Sequence, residues 1–246
     1  MVRIEMGGCT DTGQLREHNE DNLLVHADLG LAAVADGMGG HQAGEVASRI
    51  AVEVLAEQLV NDREAVPDHD DAAERLAHVL ADANLKILRV AAERPECYGM
   101  GATIVAARFR GGRFTVAHLG DSRLYRLRGQ DLDQITEDHS LVQEFVRQGV
   151  LSEEEARASL NKNLITRALG ISDHVQPDVT GGTLLAGDVF LLCSDGLTDV
   201  VSDAHIAEAL AQDAAVNYIA GGLIEMANAA GGPDNITVIV VRATEE

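Results

Sequence analysis

Strands and helices come in blocks along this sequence, and that order is the strongest restriction on its fold. Strand-like runs punctuated by Gly, Asn and Asp fill residues 2–36: RIEMGGCTDTG, NLLVHA and LGLAAVADG. A helical period follows over about 41–60, with Val46, Ile50, Val54 and Leu55 on one stripe. A second covers about 72–93, with Leu76, Val79, Leu80, Ala83, Ile87 and Val90 in line. The polar NDREAVPDHDD between them suits an antiparallel helix hairpin. Strands return as ATIVAARFR, RFTVAHLG and SRLYRLR, the first two joined by a GGR turn at 111–113. Residues 139–170 read as polar, helical and surface-lying, with SEEEA opening a short helix through a Ser cap and acids. Strands at about 175–185 and 188–193, helices near 203–211 and 214–229, and the strand NITVIVVR complete the chain. This order predicts an antiparallel α+β layer architecture, not a parallel Rossmann-type sheet.

The positions of the aspartates carry the chemistry. LAAVAD ends at Asp36, FTVAHLGD at Asp121 and VFLLCSD at Asp195, while Asp234 immediately precedes NITVIVV. Each acid lies at the tip of a strongly apolar strand. Antiparallel order can bring one strand's C-terminal end beside another's N-terminal end, so the four carboxylates could converge on one sheet edge. Converging carboxylates repel and lose hydration unless a cation compensates. Oxygen ligands without His or Cys select Mg²⁺ or Mn²⁺ over zinc. Taken singly, each Asp also fits a plain turn former.

The loop ADGMGGHQAG, residues 35–44, excludes several phosphate chemistries. No lysine follows the glycines as a P-loop requires. Gln42 stands where a dinucleotide fingerprint needs its third glycine. A cysteine phosphatase needs CxxxxxR, but Cys9 to Arg16 is one residue too long and Cys193 has no arginine at that spacing. What remains is a loop whose glycines let backbone oxygen and carboxylate approach one ion. The formal charge of −21 argues against a nucleic-acid backbone as partner, and so against a metal-dependent nuclease. That acidity also fits hard cations, basic partners or a solvated face.

Six motifs then stand in order: REHNED from Arg16, DGMGGH from Asp36, GDSR from Gly120, TEDHS from Thr136, SDGLTD from Ser194 and GGPDN from Gly231. Together they resemble the bacterial branch of the metal-dependent protein phosphatases (PPM family, type 2C) over residues 16–235. The resemblance implies a four-layer α-β-β-α sandwich, two antiparallel sheets flanked by helix pairs. It also implies two Mg²⁺ or Mn²⁺ ions and direct attack of a metal-bridging water on phosphoserine or phosphothreonine, without a phosphoenzyme. Carried over residue by residue, Asp36 would bridge the two ions and Gly37 would offer its carbonyl to the second. Asp195 and Asp234 would complete the first, while Glu20 and Asp21 would hold bound waters. Arg16 would clamp the phosphate, a task its planar fork suits better than lysine. Asp121 with Asp195 would supply a third, weaker ion site. Met38 stands where some family members place a histidine, so His41 is a candidate general acid, helix cap or water-ordering residue.

Further expectations complete the reading. Asn235 is a turn former or a ligand orienter, Thr103 and Cys193 are core residues, and His139 fixes the start of the 139–170 segment. The chain is one catalytic domain over 1–246, with 139–170 aligned with the family's flap. No apolar run approaches a membrane span, and MVRIEMGGCTDTG lacks the apolar core of a secretory signal. Three widely spaced cysteines without a CxxC pair point away from a disulfide framework. The expected protein is a cytoplasmic monomer acting on phosphoproteins and opposing a bacterial Ser/Thr kinase, without nucleic-acid or membrane partners. The competing readings are a related phosphatase acting on phosphotyrosine or on phosphorylated anti-sigma-type regulators, and a pseudophosphatase that binds phosphoproteins without turnover.

Overall fold

The computed structural model describes residues 2–40, 43–60, 72–152, 155–156, 159, 161 and 163–245, with residue 60 described by its backbone alone. The chain enters through three strands, β1 (Val2–Asp11), β2 (Asp21–His26) and β3 (Leu31–Met38). Helices α1 (Ala43–Leu55) and α2 (Ala72–Glu93) follow and pack on each other. Then come β4 (Gly101–Ala102), β5 (Ile104–Arg110), β6 (Arg113–Leu119), β7 (Arg123–Arg128), β8 (Asp131–Gln134) and α3 (Leu141–Arg147). The last block is β9 (Asp178–Thr183), β10 (Val189–Cys193), α4 (Asp195–Thr198), α5 (Asp203–Leu210), α6 (Val216–Ala229) and β11 (Ile236–Glu245).

Two antiparallel sheets form, one ordered β1-β11-β10-β7-β8 and the other β2-β3-β5-β6-β9, with β4 pairing β3. The hairpin read at 111–113 joins β5 to β6 through Gly111 and Gly112, at φ 58° and 72°. Two successive positive-φ positions define the turn whose twist matches a two-residue hairpin.

Side-chain alternation along the strands divides the core into three slabs, because neighbouring residues point to opposite faces. Leu31, Ala33 and Ala35 of β3 face α1 and α2, where they meet Ile50, Leu80 and Ile87. Ala32 and Val34 face inward, toward Phe190, Leu192 and Ile239 of the opposite sheet. On the far side, Leu191, Cys193, Val238 and Val240 pack under Ile206, Ile219 and Leu223 of α5 and α6. Both faces of the central strands are therefore covered, which explains why LAAVA, VFLLC and ITVIVV are continuous apolar runs instead of alternating ones. The expected α-β-β-α layering is the one observed.

The helical period read over about 41–60 is found as α1 at 43–55, continued by a wider π-type turn over 56–60. Within 139–170 the structure has α3, capped by Ser140, and helical residues Glu155 and Ala156, with the Ser152 hydroxyl accepting the Glu155 N–H at 3.2 Å as the SEEEA cap predicts. The surface-lying expectation needs correction at the end of the segment: bridges Ser140↔Ile165 and Ala102↔Leu169 tie it down, and Ala168 and Leu169 are buried.

Phe190 joins the sheets, with its ring 4.9 Å from those of both Phe109 and Phe114. Phe190→Ala should destabilise the protein by about 3–5 kcal/mol through lost transfer energy and a residual cavity. Urea unfolding followed by circular dichroism checks this, and a loss below about 1 kcal/mol would mean that the slab between the sheets is not tightly packed.

Candidate metal centre

The strand-tip acids meet because the topology puts their strand ends at one edge of the sandwich. Asp36 lies in β3, and Asp21 at the start of β2 pairs with it directly in register. Thr103, which leads into β5, donates its backbone N–H to the Asp36 carbonyl at 2.9 Å. Asp121 follows the end of β6, whose Leu119 pairs with Ile104. In the other sheet, the pairing Cys193↔Val238 places Asp195, just after β10, beside the start of β11, which Asp234 precedes.

The carboxylates are close enough to resist ionising together. Asp36 is pushed well above the usual carboxylate range, first by burial and then by the charges of Asp21, Asp195, Asp121 and Asp234. Asp195 is raised likewise, by burial and by Asp121, Asp199, Asp234 and Asp21. Burial raises Asp21 to about 6, although hydrogen bonds with Thr237 and Ser194 pull it back. Asp121 also rises to about 6, through burial and Asp138. Asp36 and Asp195 are half-buried residues, and Asp195 Oδ1 is enclosed by protein.

Neighbouring polar groups set the orientation of these acids. The Ser194 hydroxyl donates to Asp21 Oδ2 at 2.8 Å and accepts the Thr237 N–H at 3.0 Å. The Thr103 hydroxyl accepts the Asp36 N–H at 3.3 Å and hydrogen-bonds Ser122 at 2.7 Å. The Glu20 carbonyl accepts from Ser48 of α1 and, at 3.1 Å, from the Gly37 N–H. Gly37 must be glycine: a Cβ there would stand 2.1 Å from the Gly44 carbonyl oxygen. Asn235 acts as a clamp, because its Oδ1 accepts the Glu20 N–H at 2.8 Å and its amide donates to the carbonyls of Thr12 and His18, both at 2.9 Å. Its own N–H donates to Asp234 Oδ1 at 2.8 Å.

Arg16 is half-exposed and donates to Asp234 Oδ2 at 2.7 Å. The GDSR and TEDHS motifs lock to each other. Arg123 grips Asp138 through Nε and Nη2 at 2.6–3.1 Å, and His139 Nδ1 accepts the Gly120 N–H at 3.1 Å. His139 also stacks on His118 with ring centroids 4.5 Å apart, and burial, then His118 and Arg167, lowers its pKa to about 4. His139 is thus a neutral structural wedge, as its place in the sequence suggested. Cys193 is fully buried in the apolar slab under α5 and α6. His41 lies outside the described residues. Thr103, Ser194 and Ser48 hold the acids in place but were not singled out as site residues from sequence. Ser194 stands directly before Asp195 and was the most readable of the three.

The donor set fits hard divalent cations. Glu20 Oε1, Asp21 Oδ1 and Asp195 Oδ1 are buried without a hydrogen-bond partner, an arrangement that a bound cation or its water would complete. Among the described residues, no three His, Cys, Asp or Glu side chains are grouped so that they could hold one ion by themselves.

Comparison with known proteins follows from this geometry. The family model for protein phosphatase 2C matches residues 14–228. A serine/threonine phosphatase stp of Listeria innocua is 39% identical over 235 residues, 94% of this chain and 93% of that protein. The serine/threonine protein phosphatase PstP of Mycobacterium tuberculosis is 46% identical over 94% of this chain, which spans 43% of PstP. A crystal structure of the PstP catalytic domain in complex with two manganese ions superposes with a TM-score of 0.89, at 41% identity and full coverage of both chains.

Raised carboxylate pKa values give a signed pH prediction. Asp21 and Asp121 bind protons more tightly folded than unfolded, so their contribution favours the folded state at low pH and fades as pH climbs. In EDTA, the stability difference between wild type and Asp121→Asn should shift in the variant's favour as pH rises from about 4 to about 6.5. Urea midpoints measured across that range check it, and a difference independent of pH would contradict it.

Proposed function

The chain belongs to the protein phosphatase 2C family, in its bacterial metal-dependent branch, and from that membership we propose how its own residues carry the reaction. It is a metal-dependent protein serine/threonine phosphatase that uses Mn²⁺ or Mg²⁺. The observation that carries the residue assignment is the meeting of mutually repelling, partly unpartnered carboxylates at one sandwich edge. Asp36, the Gly37 carbonyl, Asp195 and Asp234 are the residues to hold a cation pair, Glu20 and Asp21 to fix its waters, and Asp121 with Asp195 to hold a third ion. Such ions supply Lewis acidity, a nucleophilic water near neutral pH and neutralisation of phosphoryl charge.

Arg16 is the phosphate-binding residue. Its guanidinium already engages the Asp234 carboxylate, an oxyanion of similar hydrogen-bonding geometry, at the rim of the site. A substrate phosphoryl group can exchange for Asp234 there once cations engage that carboxylate. Ser194, Thr103 and Asn235 keep the acids in place, so their loss acts through geometry. His41 keeps its three readings, general acid, helix cap or water-ordering residue, and the pH profile of His41→Ala separates the first from the other two.

Residues 139–170 act as a flap. Ser140, Val142, Gln143 and Asn163 line a cavity of about 660 Å³ together with Asp121 and Asp195, which supports substrate contact beside the ions. Among the described residues, no helix is long and apolar enough to cross a membrane. Three free cysteines support a reducing, cytoplasmic setting. A core closed within one chain supports a monomer, and opposition to a Ser/Thr kinase follows from the phosphoprotein substrate.

Phosphate release from phosphoserine and phosphothreonine peptides tests the assignment. Activity should require Mn²⁺ or Mg²⁺ and vanish in EDTA, and Asp36→Asn should cost at least about 10³-fold in kcat/KM. Arg16→Ala should raise KM about tenfold or more while kcat falls less. Retained activity in EDTA, or an Arg16→Ala loss confined to kcat, would contradict these roles. Metal uptake without turnover on any phosphopeptide would favour the pseudophosphatase.

A further inference from the structure

The end of the sandwich remote from the metal centre carries positive charge that no described residue neutralises. Strands β5 and β6 pair with Arg108 opposite Thr115 and Arg110 opposite Arg113. Side chains two apart on a strand share a face, and directly paired residues share it too. Arg108, Arg110 and Arg113 therefore all project from the face that carries Ala106 and Ala117, which pack toward α1 and α2. The expected partner of Arg110 along β3 lies seven residues before Asp36, so the cluster is about 23 Å from the catalytic acids at strand spacing.

These arginines differ from the others whose contacts the structure shows. Arg16, Arg123, Arg126, Arg128 and Arg167 each hold a carboxylate at 2.6–2.7 Å. Arg108, Arg110 and Arg113 make no ion pair and no side-chain hydrogen bond among the described residues, in a chain with 40 acidic and 19 basic residues. Arg110 and Arg113 are exposed, whereas Arg108 is 6% exposed. Its burial and the nearby Arg110 charge both lower its basicity. Like charges directly opposed across a ladder destabilise it, and no Arg108 nitrogen is buried without a partner, so the head of that largely covered side chain reaches solvent beside them. Neighbouring space is available: a cavity of about 590 Å³ adjoins the hairpin, lined in part by Arg3, Ile4, Asp28, Phe109 and Arg110. Asp28, its acidic lining residue, makes no ion pair with Arg110.

We propose that Arg108, Arg110 and Arg113 form a binding site for a phosphoryl-type oxyanion, separate from the metal centre. Two exposed guanidinium forks can grip such an anion in bidentate fashion while Arg108, whose stem is covered, presents its head from beneath. The anion relieves the Arg110–Arg113 repulsion and gives Arg108 a partner. Inorganic phosphate and a phosphorylated protein segment both present this chemistry.

The test uses the full chain stripped of metal in EDTA, which silences turnover and metal-borne phosphate binding. Melting temperature is followed in inorganic phosphate against chloride at equal ionic strength. Phosphate should raise the melting temperature of wild type and of Arg16→Gln alike, and leave that of the Arg110→Gln/Arg113→Gln double variant unmoved. Without phosphate the double variant should melt no lower than wild type, because its repulsion is gone. Should it fail to fold, Arg113→Gln alone, at an exposed position, repeats the comparison. Calorimetry in the Arg16→Gln background then compares inorganic phosphate with a phosphoserine peptide and its unphosphorylated form. Affinity for the phosphopeptide about tenfold above inorganic phosphate assigns the site to a phosphorylated segment, and equal affinities assign it to free phosphate. A wild-type shift no larger than chloride gives, or a full phosphate shift in the variants, would overturn the site.

Discussion

Repulsion among Asp21, Asp36, Asp121 and Asp195 is the constraint to which the surrounding structure answers. Each of these carboxyls is held above its usual range by burial, and their mutual charges add to it for Asp36 and Asp195. A cluster of this kind costs folding energy when empty and repays it in affinity for hard cations. The cost is borne by a rigid frame: two sheets clamped by Phe190 between Phe109 and Phe114, and helices closing both outer faces. Short polar links, Ser194 to Asp21 and Thr103 to Asp36, transmit that rigidity to the carboxylates. Orientation fixed before the ligand arrives is what allows several like charges to act as one binding site.

Acidity at the centre and its surroundings also defines what the chain can recognise. Arg16 is already paired with Asp234 and Arg123 with Asp138, so on the proposed reading a phosphoryl group meets little unpaired protein positive charge among the described residues. Cations carried by the acids must supply the rest of the attraction, and the chemistry is metal-dependent for that electrostatic reason. On the same proposed reading, residues 139–170, which line a cavity together with Asp121 and Asp195, select the protein surface that comes close.

Local periodicity made much of the fold legible. Helix α2 was read at 72–93 and is found there, and the GGR hairpin follows from two glycines that accept positive φ. The acids were legible because each lies at the end of an apolar run whose burial fixes its direction. Sheet membership was not legible: β1 and β11 pair although they come from opposite ends of the chain. The helical pieces of 139–170 were legible, but its buried end at Ala168 and Leu169 was not, because polar composition says nothing of the bridge from Leu169 to Ala102 that holds it. The hydrogen-bonding roles of Ser194, Ser48 and Thr103, the last read only as a core residue, were not legible for a related reason, since a hydroxyl's partner depends on strands and helices far away in sequence.

The central claim is that buried carboxylates hold protons until divalent cations displace them. Isothermal titration of the metal-free protein with Mn²⁺ near pH 6, repeated in two buffers of different ionisation enthalpy, measures this most directly. Binding should release protons, seen as a buffer-dependent heat, with about two ions taken up per chain, and Asp36→Asn should lose the tight phase. Tight binding with no proton release, or wild-type affinity in Asp36→Asn, would contradict it.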